Sequence, residues 1–231
     1  MSRPRSRSEP MRTGVVGLWL IVLAAHAITP ARAEPGAVRS LLEMRHDNVI
    51  VQQWDISCGA AALATILRFQ LGDPVTEKQV AQGMLRKTDP LRVKHRGGFS
   101  LLDMKRYAEL RGFEADGYSG LTVANVGKLT PLIVPVRTDG YDHFVVLRGI
   151  AGGAAILADP AFGNRKVPLD EFARIWNGSI GFVVRARGEP APANRLSPRS
   201  ADFLAVDANV VRTALDTLPR PALALPPIPI R

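Results

Sequence analysis

The spacing of apolar and polar positions divides the chain into two halves with different periods. Residues 58–70 (CGAAALATILRFQ) carry Ala and Leu at the density of a largely buried helix, with Ser57 at the N-cap position and Gly72-Asp73-Pro74 closing it. Residues 76–85 predict a second helix, in which Val80 and Met84 lie one turn apart. Ser100-Leu-Leu-Asp103 is a capping-box pattern that opens a third helix, and Gly112 ends it. From Leu132 the rhythm shortens. Residues 132–136, 144–150, 155–158 and 180–184 are short β-branched or apolar runs bounded by Gly, Asp and Pro, the pattern of strands. Gly152-Gly153 between two of them predicts an antiparallel hairpin. Helices first and strands after them predict an α+β domain over residues 41–187, not an alternating α/β one.

The two ends of the chain have a different character. Residues 14–28 (GVVGLWLIVLAAHAI) are almost wholly apolar, follow Arg3, Arg5, Arg7 and Arg12, and lead to Ala31-Arg32-Ala33. This is the pattern of a secretory signal peptide over residues 1–33, with 34–40 as the start of the mature chain. The apolar run is shorter than the roughly twenty residues a spanning helix needs, so no stable membrane span is expected after cleavage. Met11 is an alternative start that keeps the signal whole. Residues 189–231 hold eight of the eighteen prolines, so 188–231 reads as a Pro-rich tail, with one short amphipathic helix expected over 200–218. Export makes the periplasm the expected compartment.

Composition then narrows the function. The 231 residues are 46% hydrophobic and 22% charged, ordinary for a globular domain with appendages. Thirty Lys+Arg against twenty-one Asp+Glu give a formal charge of +9. Removal of residues 1–33 takes five arginines and one glutamate, leaving +5. The remaining basic clusters, Arg86-Lys87, residues 92–96 and Lys105-Arg106, lack interleaved stacking aromatics, so nucleic-acid binding is not expected. One cysteine excludes an internal disulfide and any zinc site built on two thiolates.

That single thiol, exported to an oxidising compartment, calls for a reason. Cys58 opens the first helix, where the dipole and unpaired N–H groups favour a thiolate, and Gly59 beside it allows close approach of a substrate backbone. A thiolate nucleophile needs a base. Of four histidines, His26 leaves with the signal, His46 lies in a polar N-terminal segment, and His95 sits in a basic loop beside Gly97-Gly98. His143 begins the apolar strand HFVVLRGI. Counted outward from Gly152-Gly153, His143 and Asp159 meet at the open end of the hairpin, and a carboxylate there would orient the imidazole. An oxyanion donor is also required. The backbone N–H of Cys58 is one candidate, and Gln52 and Gln53 are equivalent candidates for a side-chain amide on spacing alone.

The segments QQWDISCGAAALATIL (52–67), YDHFVVLRGI and ADPAFGNRKVPLDEFARIW resemble the bacteriocin-processing, double-glycine type cysteine peptidase family, over about residues 45–187. The resemblance implies a papain-like α+β fold, with nucleophile-bearing helices packed on a C-terminal antiparallel sheet. It also implies Cys58 as nucleophile, His143 as general base and acid, Asp159 as the orienting group and Gln52 as the oxyanion donor, with no metal or cofactor. Two features depart from the pattern: members fused to ABC transporters are common whereas this chain carries an export signal, and Ser57 stands where many members have Asp. The combination is similar to stand-alone exported peptidase-like proteins of functional-amyloid secretion operons, so Gly-Gly specificity is not implied. The expected partner is a secreted or leader-bearing polypeptide, with an amyloid or secretion component as the candidate, cleaved through a thioester. The alternatives are a non-catalytic peptide-binding accessory domain and a papain-like cell-wall amidase.

Overall fold

A computed structural model describes residues 40–138, 140–188, 194–200 and 202. The expected signal peptide, residues 1–33, and the segment 34–39 lie outside them, as does nearly all of the tail, including most of the expected helix over 200–218. The elements in chain order are α1 (Leu41–Arg45), α2 (Cys58–Phe69), α3 (Glu77–Leu85), α4 (Pro90–Arg96), α5 (Leu101–Leu110), β1 (Glu114–Tyr118), α6 (Val123–Val126), β2 (Leu132–Thr138), β3 (Tyr141–Ala151), β4 (Ala154–Asp159), β5 (Gly163–Pro168), α7 (Leu169–Ile175) and β6 (Gly181–Arg185). Helices therefore precede most of the strands, an α+β order.

Local chemistry explains the helix boundaries. Thr76 and Ser100 close full capping boxes with Gln79 and Asp103, satisfying N–H groups that a helix start leaves unpaired. The basic segment around His95 is not a loop. Asp89 caps α4, Pro90 occupies its first turn, and Gly97 at φ 78° ends it in the left-handed conformation, so the backbone signals for a helix outweigh the clustered charge.

The six strands form one antiparallel sheet in the order β1-β6-β2-β3-β4-β5. One face packs on α2, whose Leu63, Ile66 and Leu67 are fully buried and meet Ile133, Val146, Ala158, Phe182 and Val184. Each of these Leu, Ile, Val and Phe side chains contributes about 1.5–3 kcal/mol through burial. The other face, with Val134, Val145, Leu147 and Leu157, is covered by Phe172 and Trp176, whose rings stack at 5.4 Å.

Strands β3 and β4 are joined at Gly152-Gly153 as expected, with Ala151 opposite Ala154. The ladder is not regular. Leu147 pairs with Leu157 but Gly149 pairs with Ile156, so Arg148 is an extra residue in β3, a bulge. A one-residue shift reverses the faces beyond it. Without the bulge Asp159 would stand opposite Val146; with it Val146 faces Ala158, and Asp159 shares a face with Val145 and His143.

The bulge is held by residues that follow the domain in sequence. The Arg148 side chain is fully buried. It donates to Leu196 O at 2.9 Å, Asn164 Oδ1 at 2.8 Å and both carboxylate oxygens of Asp202 at 2.9 and 3.1 Å. Leu196 is buried in the α2-side core, and a Cβ on Gly149 would collide with the Pro198 ring. The described part of the tail thus lies against the sheet.

Candidate active site

Cys58 is the first residue of α2 and is buried. Ser57 occupies the N-cap position, but its side chain makes no cap. Its hydroxyl instead lies 2.6 Å from Trp54 O and 2.5 Å from Glu77 Oε1. The first-turn N–H groups around the thiol therefore lack a side-chain cap, which favours negative charge there. Gly59 does not face a substrate channel. A Cβ on it would lie 3.3 Å from the Met104 methyl and 3.6 Å from Phe99 and Phe144, so the small residue serves helix packing.

His143 and Asp159 come together through the register shift. His143 Nε2 and Asp159 Oδ1 are 2.8 Å apart, and both side chains are almost fully buried. The Cys58 side chain is also within hydrogen-bonding reach of the imidazole. Burial works against a charged ring here. The hydrogen bonds to Asp159 and Cys58, with the charges of both groups, outweigh it and raise the imidazole from 6.5 to about 9. At neutral pH the ring is an imidazolium in contact with the Cys58 side chain. Burial likewise pushes the Asp159 carboxyl up, but His143, the Ala161 N–H and the Arg165 guanidinium together hold it below the usual carboxylate range.

The loop 52–57 forms the other wall. Gln52 N donates to Pro160 O at 2.8 Å, which ties this loop to the residue after Asp159. Gln52 Nε2 donates to Trp54 O at 3.0 Å, while its buried Oε1 has no hydrogen-bond partner among the described residues. Gln53 is exposed and enters the site through its backbone only, its N–H donating to the Glu77 carboxylate. Tyr141 Oη donates to Asp55 O at 3.3 Å, linking the start of β3 to the same loop.

The structure thus gathers Cys58, His143, Asp159 and Gln52 at one corner. His46 lies against Gly163 on β5 and His95 is exposed on α4. Three contributors have no sequence signal of a site: Glu77, Pro160 through its carbonyl, and Arg165, whose guanidinium reaches Asp159 Oδ2 at 3.1 Å and lies over the Phe162 ring. Glu77 reads in sequence as an ordinary acidic residue in a first helical turn. Among the described residues no group of three or more His, Cys, Asp and Glu is placed to hold a metal ion.

A helix-borne cysteine packed against an antiparallel sheet that carries a histidine and its carboxylate defines the papain-like class of α+β proteins. The chain belongs to the Peptidase C39 family, whose model matches residues 46–187. Over 204 residues it is 42% identical to the probable functional amyloid protease FapD of Pseudomonas aeruginosa, covering 82% of this chain and 89% of that one. The Pseudomonas fluorescens protein of the same name is 41% identical over 151 residues, 65% of this chain and 66% of that one. Among solved structures, a double glycine motif protease from an AMS/PCAT transporter, in complex with the leader peptide, matches with a TM-score of 0.51. It is 31% identical and covers 60% of this chain and 90% of that one. No helix among the described residues is long and apolar enough to cross a membrane.

Proposed function

We propose that the chain is an exported cysteine peptidase that cleaves a secreted polypeptide through a thioester on Cys58. The observation that carries this reading is the buried imidazole hydrogen-bonded to Asp159 and in contact with the side chain of the chain's single cysteine. In that arrangement His143 holds the proton of the Cys58 sulfur, the resulting thiolate attacks the scissile carbonyl carbon, and the imidazolium gives that proton to the leaving amine. The neutral ring then takes a proton from water, whose oxygen attacks the thioester and expels the Cys58 thiolate, releasing the acid and restoring the ion pair. Asp159 keeps the ring oriented and its charged form stable. Gln52 Nε2 has a second hydrogen beyond the one given to Trp54 O, and with the Cys58 N–H it would meet the tetrahedral oxyanion. Neither step requires a metal or cofactor.

The likeness to a probable functional amyloid protease supports an amyloid or secretion component as substrate, and the apolar N-terminal segment supports a periplasmic location. Cys58→Ala should abolish cleavage of the exported substrate and trap it on an intact fold, read by co-purification from periplasmic extract and by thermal denaturation. Retained cleavage by that variant would sink the mechanism.

A further inference from the structure

We propose that Glu77 is a positioning residue for the oxyanion side of the site, holding Gln52 at a set reach from Cys58; the proposal rests on the peptidase reading above. Glu77 is only 4% exposed. It belongs to α3, not to the loop it touches. Its two carboxylate oxygens each accept from Gln53 N at 3.1 Å, and Oε1 lies 2.5 Å from Ser57 Oγ. Gln53 follows the oxyanion glutamine and Ser57 precedes the nucleophile. One buried carboxylate therefore clasps the loop at both ends. Its hydrogen-bonding partners among the described residues are these two groups, with no cation, a costly arrangement for a purely structural acid.

Proton counting gives the clasp a second effect. Trp54 O is approached by Gln52 Nε2 at 3.0 Å, Ser57 N at 3.2 Å and Ser57 Oγ at 2.6 Å. The Ser57 hydroxyl has one hydrogen and two acceptors within reach, Trp54 O and Glu77. A carboxylate accepts more strongly than an amide carbonyl, so Glu77 takes that hydrogen and leaves Trp54 O to orient the Gln52 amide. In the absence of the carboxylate, Ser57 turns to Trp54 O and competes with Gln52 for it, while Gln53 N loses its acceptor. Both changes loosen the oxyanion donor, and neither touches the Cys58 and His143 pair.

The test exploits the single cysteine, which makes labelling unambiguous. Two rates are measured on the full mature chain: alkylation by iodoacetamide at pH 6, where an ordinary thiol hardly reacts, and single-turnover acylation by N-acetylglycylglycine p-nitrophenyl ester. Alkylation needs the ion pair but no oxyanion donor; acylation needs both. Glu77→Ala should leave alkylation within about threefold and cut acylation by about 10²-fold, approaching the loss from removing an oxyanion donor outright. Glu77→Gln keeps an acceptor for Gln53 N and should recover acylation to within about tenfold of wild type. In a Gln52→Ala background, Glu77→Ala should cost little further, because its effect runs through Gln52. The proposal is overturned if Glu77→Ala lowers both rates equally, if it lowers neither while Gln52→Ala lowers acylation, or if the two losses multiply. A wild-type chain that alkylates but never acylates, or a Gln52→Ala variant that acylates normally, overturns the peptidase reading itself.

Discussion

Strand β3 carries a buried ionisable side chain near each end, and the two are treated in opposite ways. Arg148 is fully buried and closed off, its donors spent on two backbone carbonyls, an amide oxygen and a carboxylate. His143 is also buried, but its ring rests on a carboxylate and meets the Cys58 side chain, and close by Gln52 has a buried amide oxygen without a partner among the described residues. A cluster whose partners are saturated can only hold shape. A cluster with a nucleophile as one partner and unspent hydrogen-bonding capacity beside it has capacity for a substrate. The two ends are also linked, because the bulge at Arg148 places Asp159 on the face of His143.

The largest effect should come from the His143 end. His143→Ala removes the proposed base and proton donor together, and cleavage should fall by at least about 10⁴-fold. The fold should persist with a loss of no more than about 3 kcal/mol, since Asp159 retains the Ala161 N–H at 2.8 Å and the Arg165 guanidinium. Kinetics on a purified substrate and a denaturant midpoint check the two halves. Unfolding of this variant under native conditions would show that the proposed catalytic corner is structural instead.

Arg148→Ala should do the reverse. It strands the Asp202 carboxylate and leaves Asn164 and two carbonyls without their donor, a loss of about 3–5 kcal/mol in the manner of a broken buried pair. Ending the chain at residue 188 should cost a similar amount, because it leaves Arg148 buried without Leu196 O, Ser197 O or Asp202. Both are read as a lowered denaturant midpoint. A truncated chain as stable as the whole would show the C-terminal segment to be dispensable.

The contrast also separates what a sequence can display from what it cannot. The α2 helix, the capping boxes at Thr76 and Ser100 and the Gly152-Gly153 hairpin are local patterns, so each is written in adjacent residues. The meeting of His143 with Asp159 is only half legible. Counting from the turn brings them to the same end, but a regular ladder would put them on opposite faces, and nothing around Arg148 announces the inserted residue. The packing of residues 194–200 and Asp202 is illegible for another reason: a Pro-rich composition reads as extended chain, and the burial of Leu196 depends on core residues far away in sequence. Gln52 and Gln53 look alike in sequence, and the fold separates them by engaging one side chain and only the backbone of the other. Glu77 acts across twenty residues of chain, beyond the reach of any local motif.

Proton linkage gives a third, smaller test. The His143 ring is raised from 6.5 to about 9 in the folded chain, so folding favours its proton. That contribution is fully present below about pH 6.5 and is lost as pH rises through about 9, amounting to no more than about 3 kcal/mol. The melting temperature of the wild type should therefore fall between pH 6.5 and 9.5 more steeply than that of His143→Gln. Cleavage should decline over the same alkaline range as the imidazolium loses its proton, while alkylation of Cys58, which needs no proton donor, should not. Parallel decline of both rates would mean that the titrating group governs the thiol and not the departing amine.

The smallest effect is expected at Arg165, and it sharpens the account of how Asp159 is held. The guanidinium touches Asp159 Oδ2 at 3.1 Å but is 27% exposed and lies over the Phe162 ring, so solvent screens part of its pull. His143 and the Ala161 N–H act on the carboxylate more strongly than Arg165 does. Arg165→Ala should thus lower cleavage only a few-fold, roughly 1 kcal/mol in the barrier, and move the alkaline limb toward lower pH by less than about one unit. Arg165→Lys keeps a positive charge within reach of the carboxylate without the planar fork and should fall between the two. A shift of more than a unit would make the guanidinium, not the imidazole and the backbone, the principal support of the carboxylate, and the catalytic corner would then extend onto β5.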